Sequence, residues 1–208
     1  HQPRTNEKSD SGSVRQVGDL FDDYDAGSIR RTYDEMFDRF GRVRDTYRTI
    51  HDTLEPQTTA DLAARADGLS RAYRDRGVTF ALSGQERPFP LDLVPRVLSS
   101  DEWQRLEAGI RQRVRTLEAF LADVYGPGEV FHDGVVPRKL VHSSPHFHRQ
   151  VHGIDPAGGV RIHVSGVDII RDDHGEFRVL EDNLRSPSGV SYVMENRRVM
   201  ARVFPDLF

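Results

Sequence analysis

The run Val160–Tyr192, VRIHVSGVDIIRDDHGEFRVLEDNLRSPSGVSY, decides how this chain is read. Val160, Ile162 and Val164 alternate with Arg161, His163 and Ser165, the period-2 pattern of a half-buried strand. Asp172-Asp173-His174-Gly175 supplies a turn, with Gly175 able to take the positive φ that a hairpin demands. The alternation resumes at Phe177, Val179, Glu181 and Asn183. With His174-Gly175 as a two-residue loop, residue 168 lies opposite residue 181. Asp168, Glu181 and Asn183 then project from one face, because residues two apart share a side. A loop one residue longer would offset the pair. Two carboxylates and an amide oxygen are hard donors that suit Mg²⁺, which takes a few protein oxygens and leaves its other positions to water and phosphate. The competing reading is a set of ordinary polar residues at a strand end.

Beyond Asn183, Arg185-Ser186-Pro187-Ser188-Gly189 leads into VSYVMENRRVMARV, read as a helix that Phe204-Pro205 stops. Ser186 or Ser188 is the expected N-cap, with Pro187 in the first helical turn. Free N–H groups, two hydroxyls and an arginine at a helix N-terminus suit an anion. Simple capping is the alternative, and the neighbouring metal donors make phosphate handling competitive with it.

At this point the residues resemble a known family. LEDNLRSPSGVSYVMENR is similar to the circularly permuted ATP-grasp proteins, which are related to glutathionylspermidine synthetase. The resemblance extends upstream through DEMFD, GVTF, PRVLSSDEW, GIRQRVRTLEAFLADVYG and GVVPRKL, and so covers the chain from about Tyr33 to Phe208. The run at 180–197 is the specific part; the upstream pieces are individually weak but occur in the right order. In ATP-grasp enzymes an acid on one strand and a Glu-x-Asn on the next hold the magnesium ions that bridge ATP phosphates. The matching positions are Asp168, Glu181 and Asn183. Arg185, Ser186 and Ser188 match the polar loop that lies near the acyl-phosphate in the family.

Composition narrows the classes. Zero cysteines exclude disulfides, thiolate metal sites and a cysteine nucleophile. A net charge of −4 and a pI near 6.1 argue against a general nucleic-acid binder. No apolar run approaches a membrane span and no signal-peptide core is visible, so a cytoplasmic protein is the expectation. Lysine occurs only at 8 and 139, the other basic residues being arginine. Residues 1–19 are polar without an apolar face and are read as a flexible tail. Ser28 is expected to cap a helix carrying Tyr33, Met36, Phe37 and Phe40, with Val43, Tyr47, Ile50 and Leu54 continuing the stripe to Pro56. Thr59 is the expected cap of a helix that buries Leu62, Leu69 and Tyr73. VTFAL at 78–82 reads as a strand, followed by a loop from Gly84 to Pro90. Ser99 and Glu102 have capping-box spacing before a long helix whose buried stripe includes Trp103, Leu106, Ile110, Leu117, Leu121 and Val124. GEVFHDGVVPRKLV reads as short extended pieces. His142, His146, His148 and His152 invite a zinc hypothesis. Pro145 and the lack of a completing ligand instead favour solvated or hydrogen-bonded histidines.

The expected fold is α/β (α+β), helices packed on a mixed, largely antiparallel sheet. The resemblance implies an ATP- and Mg²⁺-dependent ligase joining a carboxylate to an amine, with small-molecule or peptide substrates and neither nucleic acid nor membrane as partner. Asp168, Glu181 and Asn183 would be the metal ligands, Arg185 the electrostatic stabiliser, and Ser186 and Ser188 the phosphate or substrate contacts. The family's chain continues past the position of Phe208 and carries its nucleotide-clamping lysines and glycine-rich loop there. Residues 20–208 are therefore expected to be the N-terminal part of a permuted ATP-grasp domain, not binding ATP tightly alone. A noncatalytic binding or scaffold module that keeps the fold is the alternative, and a histidine-rich zinc hydrolase a third reading.

Overall fold

In a computed structural model the chain is described at residues 20–25, 32–82 and 84–207. The expected tail at 1–19 and the expected cap Ser28 lie outside the described residues. The helices, in chain order, are α1 (Arg48–Leu54), α2 (Thr59–Asp75), α3 (Ser100–Val124), α4 (Glu129–His132), α5 (Arg138–His142) and α6 (Val190–Val203). The strands are β1 (Thr79–Leu82), β2 (Gln85–Pro88), β3 (Gly166–Arg171) and β4 (Phe177–Asn183). Among the described residues they form two separate antiparallel pairs, β1–β2 and β3–β4, rather than one sheet. The mixed helix–strand class and the antiparallel pairing agree with the sequence reading. No helix among the described residues is long and apolar enough to cross a membrane.

Helix α3 is the spine that positions the β3–β4 hairpin. Its start is fixed by the expected capping box: the Ser99 hydroxyl accepts from Glu102 N–H, and the Glu102 carboxylate accepts from Ser99 N–H at 2.8 Å. Three side-chain anchors then hold the hairpin and its approach along the helix. Glu102 accepts from Arg171 at 2.8 Å, Asp182 accepts from Arg113 at 2.7 and 2.6 Å, and Glu118 accepts from the N–H groups of Arg161 and Ile162 at 2.6 and 2.8 Å. Residues 102 and 113, eleven apart, recur on one side of a 3.6-residue helix, so the two anchors of the hairpin share a face, while Glu118 reaches the approach segment from further round the helix. Between them, Leu106, Gly109 and Ile110 stand off Ile169, Phe177 and Val179 across a cleft of about 310 Å³.

The core lies elsewhere, among Met36, Phe37, Tyr47, Ile50, Leu54, Leu69, Tyr73, Val199, Met200 and Phe204. α6 enters it only with its C-terminal half. Val199 and Met200 are buried, whereas Val190, Val193 and Met194 are exposed. Ring stacking of Tyr192 on Phe89 at 4.6 Å and an Arg76–Glu195 pair at 2.7 Å hold the middle of the helix.

Several local readings change. Tyr33–Phe40 is not helical, because Asp34 accepts from the N–H groups of Met36 and Phe37 at 2.9 Å each and offers the backbone a turn instead. Phe37 then bridges Val43, and Phe40 points outward, 66% exposed, beneath Arg39 and Arg42. Thr58, not Thr59, caps α2 in a reciprocal box with Asp61. The expected loop after Gly84 contains strand β2. Residues read as extended form α4 and α5; the Asp123 carboxylate caps α4 from across the Gly-Pro-Gly turn by accepting from Glu129 and Val130 N–H. Trp103, expected in the core, is 52% exposed. Val160–Ser165 is not a strand. Glu118 takes the N–H groups of Arg161 and Ile162 that a ladder would use, and pairing begins only at Gly166.

Arg171 closes the turn end of the hairpin. Its guanidinium donates to Glu35 at 3.0 Å, Glu102 at 2.8 Å and the Gly175 carbonyl at 3.2 Å, and it lies 4.2 Å from the Phe177 ring centroid. Its side chain is only 7% exposed. Burial opposes its charge, but the two carboxylates outweigh that and raise its pKa. Burial likewise pushes the Glu102 carboxyl up, while the Ser99 N–H and Arg171 outweigh it and hold the pKa below its ordinary 4.5. A depressed carboxylate pKa contributes stability above 4.5, and that contribution is lost as the pH falls through the lower folded value. Arg171→Met should therefore cost about 3 kcal/mol at pH 7, a fall of roughly 6–12 °C in melting temperature by circular dichroism. Glu102→Gln should destabilise at pH 7 and narrow its deficit relative to the parent as the pH drops below about 4.5.

Candidate metal centre

The hairpin brings the expected donors together by an unexpected route. Gly166 pairs with Asn183, Val167 with Asp182, and Asp168 with Glu181. Nearer the turn the register moves by one residue, with Ile169 opposite Val179, Ile170 opposite Arg178 and Arg171 opposite Phe177. The loop is thus Asp173-His174-Gly175, one residue longer than expected, with Asp172 N–H donating to the Glu176 carbonyl at 2.9 Å. Leu180 is the extra residue of a β-bulge between Val179 and Glu181, and it offsets the longer loop.

The bulge also reverses the side assignment within β4. Phe177 and Val179 face α3 across the cleft. Glu181 and Asn183, read from sequence as continuing that face, lie on the opposite one with Asp168, and all three are exposed. The Asn183 side-chain amide donates to the Glu181 carboxylate at 3.0 Å, which leaves the Asn183 carbonyl oxygen free to act as a ligand. Asp182 points to α3 instead. Its bidentate bond to Arg113 lowers its pKa, and the same bond commits it to structure. Asp168 and Glu181 make no ion pair with any described residue, although they sit directly opposite each other. Two facing like charges are unfavourable on their own. The donor set therefore fits a divalent cation, which would turn that repulsion into attraction.

The loop after Asn183 folds over the same outer face. A Cβ built on Gly166 would lie 3.6 Å from the Asn183 Cβ and 2.8 Å from the Pro187 Cβ. Pro187 consequently roofs Gly166, which places the loop carrying Arg185, Ser186 and Ser188 beside the donors. These three are exposed and unpaired among the described residues. Neither serine caps α6, and Pro187 is not helical. Gly189, at φ 108°, is the N-cap with no side-chain hydrogen bond, and Val190 is the first helical residue. The left-handed turn at Gly189 delays the helix and leaves both hydroxyls unused by capping.

A model of the family described as a circularly permuted ATPgrasp matches residues 95–208. The chain belongs to that family. It is also similar to an uncharacterized protein of Mycobacterium tuberculosis (strain ATCC 25618 / H37Rv), 62% identical over 190 residues that cover 91% of this chain and 34% of that protein. A Synechocystis protein (strain ATCC 27184 / PCC 6803 / Kazusa), likewise uncharacterized, is 42% identical over 189 residues, 89% of this chain and 39% of that protein. A Frankia casuarinae protein named "Putative glutamate--cysteine ligase 2-2" is 43% identical over 177 residues, 84% of this chain and 20% of that protein. The chain thus spans about a third of the first of these relatives.

In this circularly permuted ATP-grasp chain, among the described residues, His142, His146, His148 and His152 belong to no group of three His, Asp or Glu donors close enough to share an ion. The one group of three His, Asp or Glu donors close enough to share an ion, among the described residues, is His51, Asp52 and Glu55. There the carboxylates approach different ring nitrogens, Asp52 at Nδ1 (3.3 Å) and Glu55 at Nε2 (4.0 Å), as ion pairs would. The sequence reading missed the bulge, the Arg113–Asp182 anchor and the need for glycine at 166. The odd spacing of five between Phe177 and Asp182 was the available signal for the first. Gly166→Ala should force the Pro187 loop outward. The expected cost is about 1–3 kcal/mol in thermal unfolding, with hydrogen exchange of the 184–189 amides accelerating.

Proposed function

We propose that this chain carries the metal-holding part of an ATP-dependent ligase that joins a carboxylate to an amine. The observation that carries the reading is the Asp168–Glu181 pair, exposed, facing and without a cationic partner among the described residues, with Asn183 hydrogen-bonded to Glu181. It stands in a permuted ATP-grasp chain, related at 43% identity to a protein named "Putative glutamate--cysteine ligase 2-2". Residues 20–208 would be one part of the catalytic domain. ATP consumption makes the cytoplasm the expected location.

In the proposed reaction a substrate carboxylate oxygen takes the terminal phosphoryl group of ATP, releasing ADP. An amine then attacks the acyl carbon, and the tetrahedral adduct expels phosphate to leave the amide. Asp168, Glu181 and Asn183 would hold Mg²⁺, which when bound neutralises charge on the phosphoryl oxygens, the main requirement of phosphoryl transfer. Arg185 supplies a permanent positive charge to the developing anion, since a guanidinium does not deprotonate in this setting. Ser186 and Ser188 offer hydroxyl donors that capping does not consume. Asp182 has no direct part. It holds β4 to α3 and so keeps Glu181 and Asn183 on the outer face. The substrates are small molecules or peptides bearing a carboxylate and an amine.

Titration of the chain with Mn²⁺, followed by electron paramagnetic resonance and competed with Mg²⁺, tests this directly. Asp168→Asn and Glu181→Gln should each weaken binding at least about tenfold, the usual scale for lost metal-site groups. Asp182→Asn should lower the melting temperature yet leave affinity within a few-fold, its ion pair being partly exposed. Equal binding by all four proteins would remove the metal assignment and favour a noncatalytic scaffold. In a protein of the relatives' length, Arg185→Ala should lower amide formation without changing the metal titration.

A further inference from the structure

A second polar cavity lies beyond the C-terminal end of α3. Its volume is about 340 Å³, and it is lined by His142, Phe147, Arg149 and His152. The aromatic residues around it form an ordered column. The Phe147 ring is stacked between His142 at 4.5 Å (11°) and Tyr125 at 5.2 Å (5°), and Phe131 meets His142 edge-on at 5.5 Å (88°). Tyr125 also fastens the segment that supplies Arg149 and His152. Its hydroxyl accepts from His148 N–H at 3.2 Å, and its carbonyl accepts from Gly153 N–H at 2.7 Å. The intervening 3₁₀ turn, Arg149–Val151, is thereby held with Arg149 and His152 on the cavity wall.

The charge of this wall is one-sided. Among the described residues no carboxylate lines the cavity. Neither Arg149 nor His152 makes a side-chain ion pair with any described residue. Of the neighbouring charged groups, Arg138 of α5 lies over the Phe131 ring, and the Asp123 carboxylate at the end of α3 is occupied by the N–H groups of Glu129 and Val130. Both faces of Phe147 are covered, so it presents its electropositive edge. A guanidinium, two imidazoles and a ring edge converging without an acid form a receptor for an oxyanion.

We propose that this cavity binds the phosphoryl or carboxylate group of a small ligand, at a site separate from the metal-holding face of the hairpin. Along α3, Tyr125 lies twelve residues beyond Arg113, or about 18 Å at the helical rise. A ligand oxyanion here is therefore distinct from any phosphate bound beside Asp168 and Glu181.

The ring-proton resonances of His142 and His152, assigned with His152→Gln, report occupancy in the intact chain without any activity assay. Sulfate stands for the tetrahedral phosphoryl class, keeps its charge across the pH range used, and is titrated beside succinate. Saturable shifts are expected with at least one of them, and the tighter binder identifies the oxyanion class. Arg149→Gln, a change at an exposed side chain, should weaken binding about tenfold while leaving the melting temperature and the Mn²⁺ titration unchanged. Non-saturating shifts with both anions, or equal affinity in Arg149→Gln, would overturn the proposal.

Discussion

Two ion pairs on one face of the hairpin impose the constraint that shapes the rest. Arg171 reaches Glu102 near the start of α3, and Asp182 reaches Arg113 eleven residues further on. From Phe177, which sits beside Arg171 and faces the same cleft, Asp182 is five residues away. An odd separation puts two residues of a regular strand on opposite faces. Both can face α3 only if one residue is inserted, and Leu180, 66% exposed, is that residue. The bulge is the geometric consequence of two anchors whose parity disagrees, and bulges characteristically re-aim side chains in this way. Past it, the odd-numbered residues of β4 turn outward. The same step that brings Asp182 to Arg113 therefore sends Glu181 and Asn183 to the face of Asp168.

What sequence could reveal depended on whether the controlling interaction was local. The box of Ser99 and Glu102 lies within four residues, and so it was legible. The strand pair 168/181 was reached by assuming a two-residue loop and an unbroken ladder. The true loop and the bulge each depart by one residue and offset each other, so the pairing stands while the facing of Phe177 and Val179 does not. The bulge answers to Arg113, 69 residues from Asp182, which no local pattern encodes. Residues 33–40 failed differently. Their apolar spacing is helical, but one short side chain, Asp34, captured two backbone donors and made a turn, after which Phe40 had no core to enter. Trp103 has helical spacing too, but α3 is held to the hairpin by ionic anchors and stands off across a cleft, so its apolar stripe is only partly covered.

The outer face is tied to the core by the chain that leaves it. From Asn183 the backbone crosses over Gly166 at Pro187, turns at Gly189 in a left-handed conformation, and enters α6, whose far end is buried among Tyr73, Leu69 and Phe204. α6 is therefore a lever with one end fixed and the other beside the donors. Residues 76 and 195 pair near its middle, and Tyr192 donates to the Thr79 carbonyl at 3.0 Å. Together these contacts limit how far the loop bearing Arg185, Ser186 and Ser188 can swing. A binding loop gains from a rigid support because less order has to be created when a ligand arrives.

The balance of charge across the molecule gives the hairpin acids their meaning. This chain is rich in arginine, and several of its carboxylates have one: Asp38 has Arg42, Asp172 has Arg178, Asp182 has Arg113, Glu118 has Arg161, and Glu195 has both Arg76 and Arg198. Arg178 protrudes from the same outer face as Asp168, yet it is drawn to the turn by Asp172 at 2.8 Å. Asp168 and Glu181 face each other without such a partner among the described residues. A cross-strand carboxylate pair costs stability on its own, and replacing either acid by a neutral isostere would relieve it. Under the proposed function a bound cation would reverse that cost. On that argument the energetics of the acidic pair favour the proposed ligand set.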